Sequence, residues 1–144
     1  MTRFRCPRRI ALSLAALLLA GCAATGARQD VPAEVRAQER WDALLAGDFV
    51  KAWGYLSPGA RSRGSAEAYA AQMKARPVRW KSAEVLGVEC PEPELCKVTV
   101  KVGFTAPANM PRVGKLAASS AVIEKWIRLD GQWYYVPREI GLSR

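Results

Sequence analysis

The side chains able to do chemistry in this 144-residue chain are few, and the absence of His narrows them further. Without His the commonest general base and the commonest nitrogen ligand for zinc are both missing. A Ser–His or Cys–His nucleophile cannot be assembled. Acid–base work would then fall to carboxylates, with a Tyr hydroxyl available as a partner. Asp30 and Asp48 sit where helix caps belong, and Asp130 sits in a turn. Glu89, Glu92 and Glu94 cluster at a solvated hairpin tip. Glu84 and Glu124 fall on strands with a chance of facing inward, so a Glu/Tyr cavity enzyme is the alternative reading. The main reading is a non-enzyme, with no catalytic residue, no metal and no cofactor.

Aromatic residues offer a second resource. Five Trp and four Tyr could line an apolar pocket carrying indole and hydroxyl donors. The candidates for a pocket or an interface are Trp53, Tyr55 and Tyr69 on helices, and Trp126, Arg128, Trp133 and Tyr135 on strands. Single aromatics at these spacings also serve as ordinary core. A basic run supplies Lys74, Arg76, Arg79 and Lys81, with Arg61 and Arg63 upstream. It suits anionic headgroups or other envelope anions, and equally a solvated helix end, where cations complement the dipole.

The first 21 residues hold Arg3, Arg5, Arg8 and Arg9 and no acid, supplying +4 of the formal +9. An apolar run from Ile10 to Ala20 follows, too short at about 1.5 Å per residue to cross a core of about 30 Å. A basic stretch before a short apolar one reads as a secretory signal. Leu19-Ala20-Gly21-Cys22 resembles the bacterial lipobox. The resemblance implies lipidation of the Cys22 thiol, cleavage before it, and several acyl chains as a durable anchor. A plain Ala-x-Ala-type cleavage site is the alternative. Arg8-Arg9 lacks the flanks of a twin-arginine signal. Ala23 after the lipidated position, where Asp would imply inner-membrane retention, points to the outer membrane facing the periplasm. An exported chain of this kind has no nucleic-acid partner.

Of the 4 Cys, Cys6 would leave with the signal and Cys22 would carry lipid. Cys90 and Cys96 remain, flanking a short Pro-containing loop between two strand-like runs. In an oxidising periplasm that pair reads as a disulfide stapling a hairpin tip. Zinc binding by two Cys without His, or a Cys-x-x-Cys redox site, fits the spacing poorly.

The elements that must position these groups divide by period. Residues 1–21 are signal, 22–30 a lipidated tether and 31–144 one domain. Asp30 is expected to cap a helix with Val35, Trp41, Leu44 and Leu45 on one stripe, stopped by Gly47. Asp48 caps a second helix through Leu56, ended by Ser57-Pro58-Gly59, and Ser65 starts a third through about Arg76. Strands follow from Trp80 to Cys90, Lys97 to Thr105 and Leu116 to Leu129. Val98, Val100, Val102 and Phe104 share one face, and residues 106–115 read as a loop. Asp130-Gly131 makes a tight hairpin into Gln132 to Val136.

Three helices followed by a four-stranded antiparallel meander is an α+β pattern. With Ala46-Gly47-Asp48-Phe49 to Leu56-Ser57-Pro58 and Trp126-Ile127-Arg128-Leu129-Asp130-Gly131-Gln132-Trp133, it resembles the nuclear transport factor 2-like superfamily, which includes ketosteroid isomerases. The resemblance implies N-terminal helices packed on a curved, cone-like sheet with a cavity between them. It also implies a homodimer through the sheet. It implies no particular activity.

A two-residue turn puts Ile123, Ile127, Leu129, Tyr134 and Val136 on one face, and Trp126, Arg128, Trp133 and Tyr135 on the other. Neither face is polar, so either both are covered or one lines a cavity or meets a partner. A bulged turn would swap the faces. The functional reading is therefore a lipid-anchored, periplasm-facing accessory or binding module with a small apolar ligand or an envelope protein as partner. A purely structural interaction subunit is a further alternative.

Overall fold

The computed structural model describes residues 30–110 and 113–138. The signal segment, Cys6, Cys22, Ala23 and all of the tether before Asp30 lie outside the described residues. Four helices precede four strands: α1 (Ala33–Leu45), α2 (Phe49–Gly54), α3 (Pro58–Arg61) and α4 (Ala66–Ala75), then β1 (Arg79–Glu92), β2 (Leu95–Met110), β3 (Val113–Leu129) and β4 (Gln132–Val136). The strands form one antiparallel sheet in the order β1-β2-β3-β4. The architecture is α+β, a curved sheet packed against helices.

Helix α1 buries Ala33, Ala37, Trp41 and Leu44, spaced by four, four and three residues. Arg40 is buried in the same stripe. The expected stripe included Val35 and Leu45, and both are exposed. At about 100° per residue Val35 points about 120° away from Trp41, which takes it off the core face. Asp30 does not cap this helix. Pro32 holds the cap position without a side-chain bond, and the Asp30 carboxylate pairs with Arg128 at 2.5 Å. Gly47 ends α1 at φ 76°, a left-handed conformation that costs glycine little.

Asp48 caps α2 by accepting from the Lys51 N–H, and Ser65 caps α4 by accepting from the Ala68 N–H. The segment read as a plain stop after Leu56 is a four-residue helix, α3. The Ser57 hydroxyl caps it and Pro58 occupies its first turn. The chain between α2 and α3 also covers the sheet edge. Tyr135 donates its N–H to the Tyr55 carbonyl, and Ser57 donates to the Tyr135 carbonyl, each at 2.8 Å. Edge strand β4 is thereby paired on its outer side. At the opposite edge Gln38 does the same for β1, accepting from the Val85 N–H and donating to the Ala83 carbonyl.

In β2, Val98, Val100 and Val102 are buried under the helices while Thr99 and Lys101 face the other way, as the alternation predicts. Residues 106–115 are not a loop, because β2 and β3 extend through most of that span as a long hairpin. Pro107 weakens strand propensity there, but the ladder from Leu95↔Ile127 to Pro107↔Lys115 is continuous and includes it. The turn Asp130-Gly131 has φ of 51° and 75°, the geometry of a two-residue hairpin, and gives the register Leu129↔Gln132, Ile127↔Tyr134 and Trp126↔Tyr135. No bulge intervenes, and the aromatic face turns toward the helices.

Cys90 and Cys96 are disulfide-bonded across the β1–β2 tip. The bond closes a short loop, so in the chain-entropy account it contributes about 2 kcal/mol. Cys90→Ser with Cys96→Ser is expected to reduce unfolding free energy by that amount in urea, with the m-value little changed. A loss near zero would show that the hairpin holds its register unaided.

Candidate functional site

Among the described residues, Glu124 is the buried carboxylate on the sheet face beneath the helices. Glu124 lies on β3 opposite Val98, and its side chain is 2% exposed. Glu124 Oε1 accepts from Arg40 Nη1 at 2.8 Å and from Trp41 Nε1 at 3.0 Å, both donors coming from successive residues of α1. Oε2 accepts from Trp126 Nε1 at 3.1 Å, two residues further along the same strand face. The Arg40 guanidinium also lies over the Tyr135 ring, 3.9 Å from its centroid. Trp126 packs on Tyr135 with centroids 5.8 Å apart, and Trp41 meets Trp80 edge-to-face at 5.5 Å. One ion pair thus joins the first helix to the third strand and fixes two indoles and a phenol around it.

Burial is the largest influence on the Glu124 carboxyl and raises it above its ordinary value, against the lowering effects of the Arg40 cation and the indole N–H groups. The folded chain therefore keeps this proton to higher pH than the unfolded chain. The group's contribution to stability is then full below the ordinary carboxylate range and declines as pH rises through the folded value. The stability–pH curve of the wild type, after subtraction of that of Glu124→Gln, is expected to slope downward across that window. A difference curve that rises instead would place the folded value below the unfolded one. Burial likewise raises the Tyr135 phenol, which keeps it a proton donor near neutrality.

Beside this pair is a cavity of about 760 Å³. Its floor includes Arg40, Trp41, Glu124 and Tyr135, its apolar walls include Leu56, Met73, Trp80 and Val122, and Arg63, Arg76, Lys125 and Arg138 also line it. Tyr69 contributes from α4.

Of the sequence-predicted aromatics, the structure brings Tyr69 and Tyr135 to the cavity. Trp126 is fully buried behind Glu124, and Trp133 is core. Neither is presented to a partner, because the chain's own helices cover that face. Tyr55 is buried, donates to Glu39 at 3.2 Å and carries Arg36 over its ring at 4.5 Å. Trp53 is half-buried beneath Arg61. Arg128 is held by Asp30 rather than placed in the cavity.

The basic run divides. Arg63 and Arg76 line the cavity. Arg79 donates to the carbonyls of Lys74 and Arg76, so it satisfies the end of α4. Lys74 and Lys81 are exposed outside the cavity. Glu84 does not face inward. The bulge between Trp80 and Ser82 flips the alternation, which places Glu84 on the open face opposite Lys101. Arg40 is the residue that sequence reasoning missed. Its signal was present: a cation three residues after Ala37 and four before Leu44, inside an apolar helical stripe.

No known family profile matches this chain, and no curated protein does. Solved structures do resemble it. A SEC-C motif-containing protein from Rhodopseudomonas palustris superposes with a TM-score of 0.55 at 17% identity, over 71% of this chain and 73% of the other. A SEC-C motif-containing protein from Psychrobacter arcticus gives 0.49 at 18% identity, over 78% and 62%. A CaMKII hub homology domain from Chlamydomonas reinhardtii gives 0.46 at 18%, over 71% and 88%. At these identities the first similarity establishes a shared α+β fold and nothing about activity.

Proposed function

We propose that the chain is a lipid-anchored, periplasm-facing envelope lipoprotein whose nuclear transport factor 2-like domain is a non-catalytic binding module. The observation that carries the binding reading is the cavity of about 760 Å³ with its carboxylate already committed. Glu124 has an indole or guanidinium donor on each oxygen, which leaves it poorly placed to take a proton from a substrate. A cavity of that size, walled by apolar side chains with a few polar groups, is the usual form of a small-molecule site. The lipobox-like Leu19-Ala20-Gly21-Cys22 supports the anchor, and Ala23 supports the outer membrane.

Two measurements test the two halves. Radiolabelled palmitate fed to expressing cells is expected to label the wild-type chain and to leave Cys22→Ser unlabelled. Equal labelling of both, or of neither, overturns the anchor. Native mass spectrometry of the gently purified protein is expected to show an added mass that leaves on denaturation. A bare mass moves the weight to an interaction subunit.

That second reading has its own observation. On the sheet face away from the helices, Ile123 and Leu129 are 50% and 39% exposed. A homodimer would cover them, and sedimentation would then show Ile123→Lys as monomer where the wild type is dimer.

A further inference from the structure

We infer that the free edge of β3, from Lys115 to Ile123, pairs antiparallel with the same edge of a second copy of this chain and joins the two sheets into one. This goes beyond the binding-module reading and uses a different surface from the sheet-face dimer. Strand β3 runs from Val113 to Leu129, but β4 pairs with it only as far as Lys125↔Val136. In a two-residue hairpin the flanking residues exchange both N–H and C=O groups, so Leu129, Ile127 and Lys125 turn theirs toward β4. The Arg128 N–H has the opposite phase and donates to the Glu94 carbonyl on the β2 side at 2.9 Å. By the same alternation Ile123, Ala121, Ser119, Ala117 and Lys115 point their backbone groups away from β2. No backbone group among the described residues meets them. The Ala121 carbonyl has a long contact from the Ser120 hydroxyl, at 3.4 Å.

Such an edge is a template for strand addition unless something protects it. The other edges of the sheet are protected. Residues 55–57 cover β4, Gln38 covers part of β1, and β1 also has three register shifts. Where β2 runs on past the end of β1 it carries Pro107. Between Lys115 and Ile123, β3 has no Pro, no acid and no register shift, and Lys115 through Ala121 are all exposed.

The length of the free stretch selects the register. Its midpoint is Ser119, so full pairing sets Ser119 against Ser119 of the second copy, Ala117 against the partner's Ala121 and Leu116 against the partner's Val122. Other registers leave outward groups unpaired or run into β4 at Lys125. The full register forms about ten main-chain hydrogen bonds across an isologous contact. Small side chains at its centre let the strands approach, and large ones at its ends gain cover. Leu116 and Ile123 are each 50% exposed. Leu116 meets the partner's Val122, which lines the cavity, so each copy contributes a residue beside the other's cavity. Ile123 meets the aliphatic stem of the partner's Lys115. The like-charge approach of Lys115 to the partner's Lys125, on the diagonal, is solvent-exposed and screened.

Sedimentation velocity of the full chain in detergent is expected to show a dimer. Ala121→Pro removes an N–H that serves this dimer and none that serves β2. It should stay folded by far-UV circular dichroism and dissociate at least about tenfold more readily. Leu116→Lys should weaken the dimer likewise. Ile123 belongs to both candidate surfaces, so Leu129→Lys separates them: it alters only the sheet face and should leave the dimer intact.

Ser119→Cys is expected to give a disulfide-linked dimer on mild oxidation, because residues of a hydrogen-bonded antiparallel pair lie about 5.5 Å apart between Cα atoms, within disulfide reach. Should Ala121→Pro fail to fold, this crosslink decides. A dimer lost with Leu129→Lys and kept with Ala121→Pro overturns the edge contact in favour of the sheet face. Absence of the Ser119→Cys crosslink in a dimeric protein overturns the register. A monomeric wild type overturns the inference outright, and a dimer that forms only on deleting residues 139–144 would assign the edge to the chain's own C-terminal segment. Whether the cavity holds a ligand is read separately by native mass spectrometry, so the binding-module reading stands or falls apart from these outcomes.

Discussion

Arg40→Met should lower the unfolding free energy by about 3–5 kcal/mol, the usual cost of removing one partner from a buried ion pair. Met replaces the arginine stem in volume, so the loss is electrostatic rather than a cavity effect. It leaves Glu124, 2% exposed, with two indole donors and no cation. Glu124→Gln should cost less than Arg40→Met, because burial already favours the neutral form of this carboxyl in the fold, and its deficit is the Arg40 charge left without a counter-charge. The double substitution should be less harmful than the two singles predict. It buries no net charge, and its remaining deficit is one indole N–H without an acceptor, about 1–3 kcal/mol. Urea denaturation of the four proteins gives the coupling energy as a double-mutant cycle. Arg40→Met with wild-type stability would show that water reaches the pair and solvates it.

Trp126→Ala is the second large effect, also about 3–5 kcal/mol. Trp126 is 0% exposed, packs on Tyr135 and donates to Glu124 Oε2. The substitution opens a cavity at the centre of the core and removes one of three donors from a buried carboxylate. Trp126→Phe separates the two contributions. It keeps most of the packing and loses the N–H, so its smaller deficit should be about 1.5–3 kcal/mol, the range for a bond to a charged acceptor. If Phe costs as little as an ordinary conservative swap, the indole hydrogen bond contributes nothing. Domains of this kind are stable by about 5–15 kcal/mol, so Trp126→Ala brings the chain near its folding threshold. A change of oligomeric state in that variant would then report unfolding rather than an interface, whereas Ile123→Lys leaves the core intact.

The parts of this protein legible in its sequence are those governed by neighbours in the chain. The β2 alternation of Val98, Val100 and Val102 depends only on the two-residue period of a strand, and the structure follows it. The Asp130-Gly131 turn fixed the β3–β4 register because a two-residue loop leaves no slack. The Ser65 and Asp48 caps are bonds between residues three apart. The Cys90–Cys96 bond spans six residues between paired strands. The helices-then-strands order was enough for the α+β class.

What the sequence left open was settled by contacts between distant segments. Glu84 and Glu124 had equal standing on strands, and one bulge between Trp80 and Ser82 separated them by turning Glu84 outward. Asp30 had the type and place of a cap, yet Arg128, 98 residues away, holds it instead. Arg40 takes its place in the cavity only through Glu124, a partner 84 residues distant in the chain. Local spacing determines which way a side chain leaves the backbone. Only the packing of α1 onto β3 decides what it meets there, and a buried charge is tolerable only when that meeting supplies its counter-charge and its hydrogen bonds.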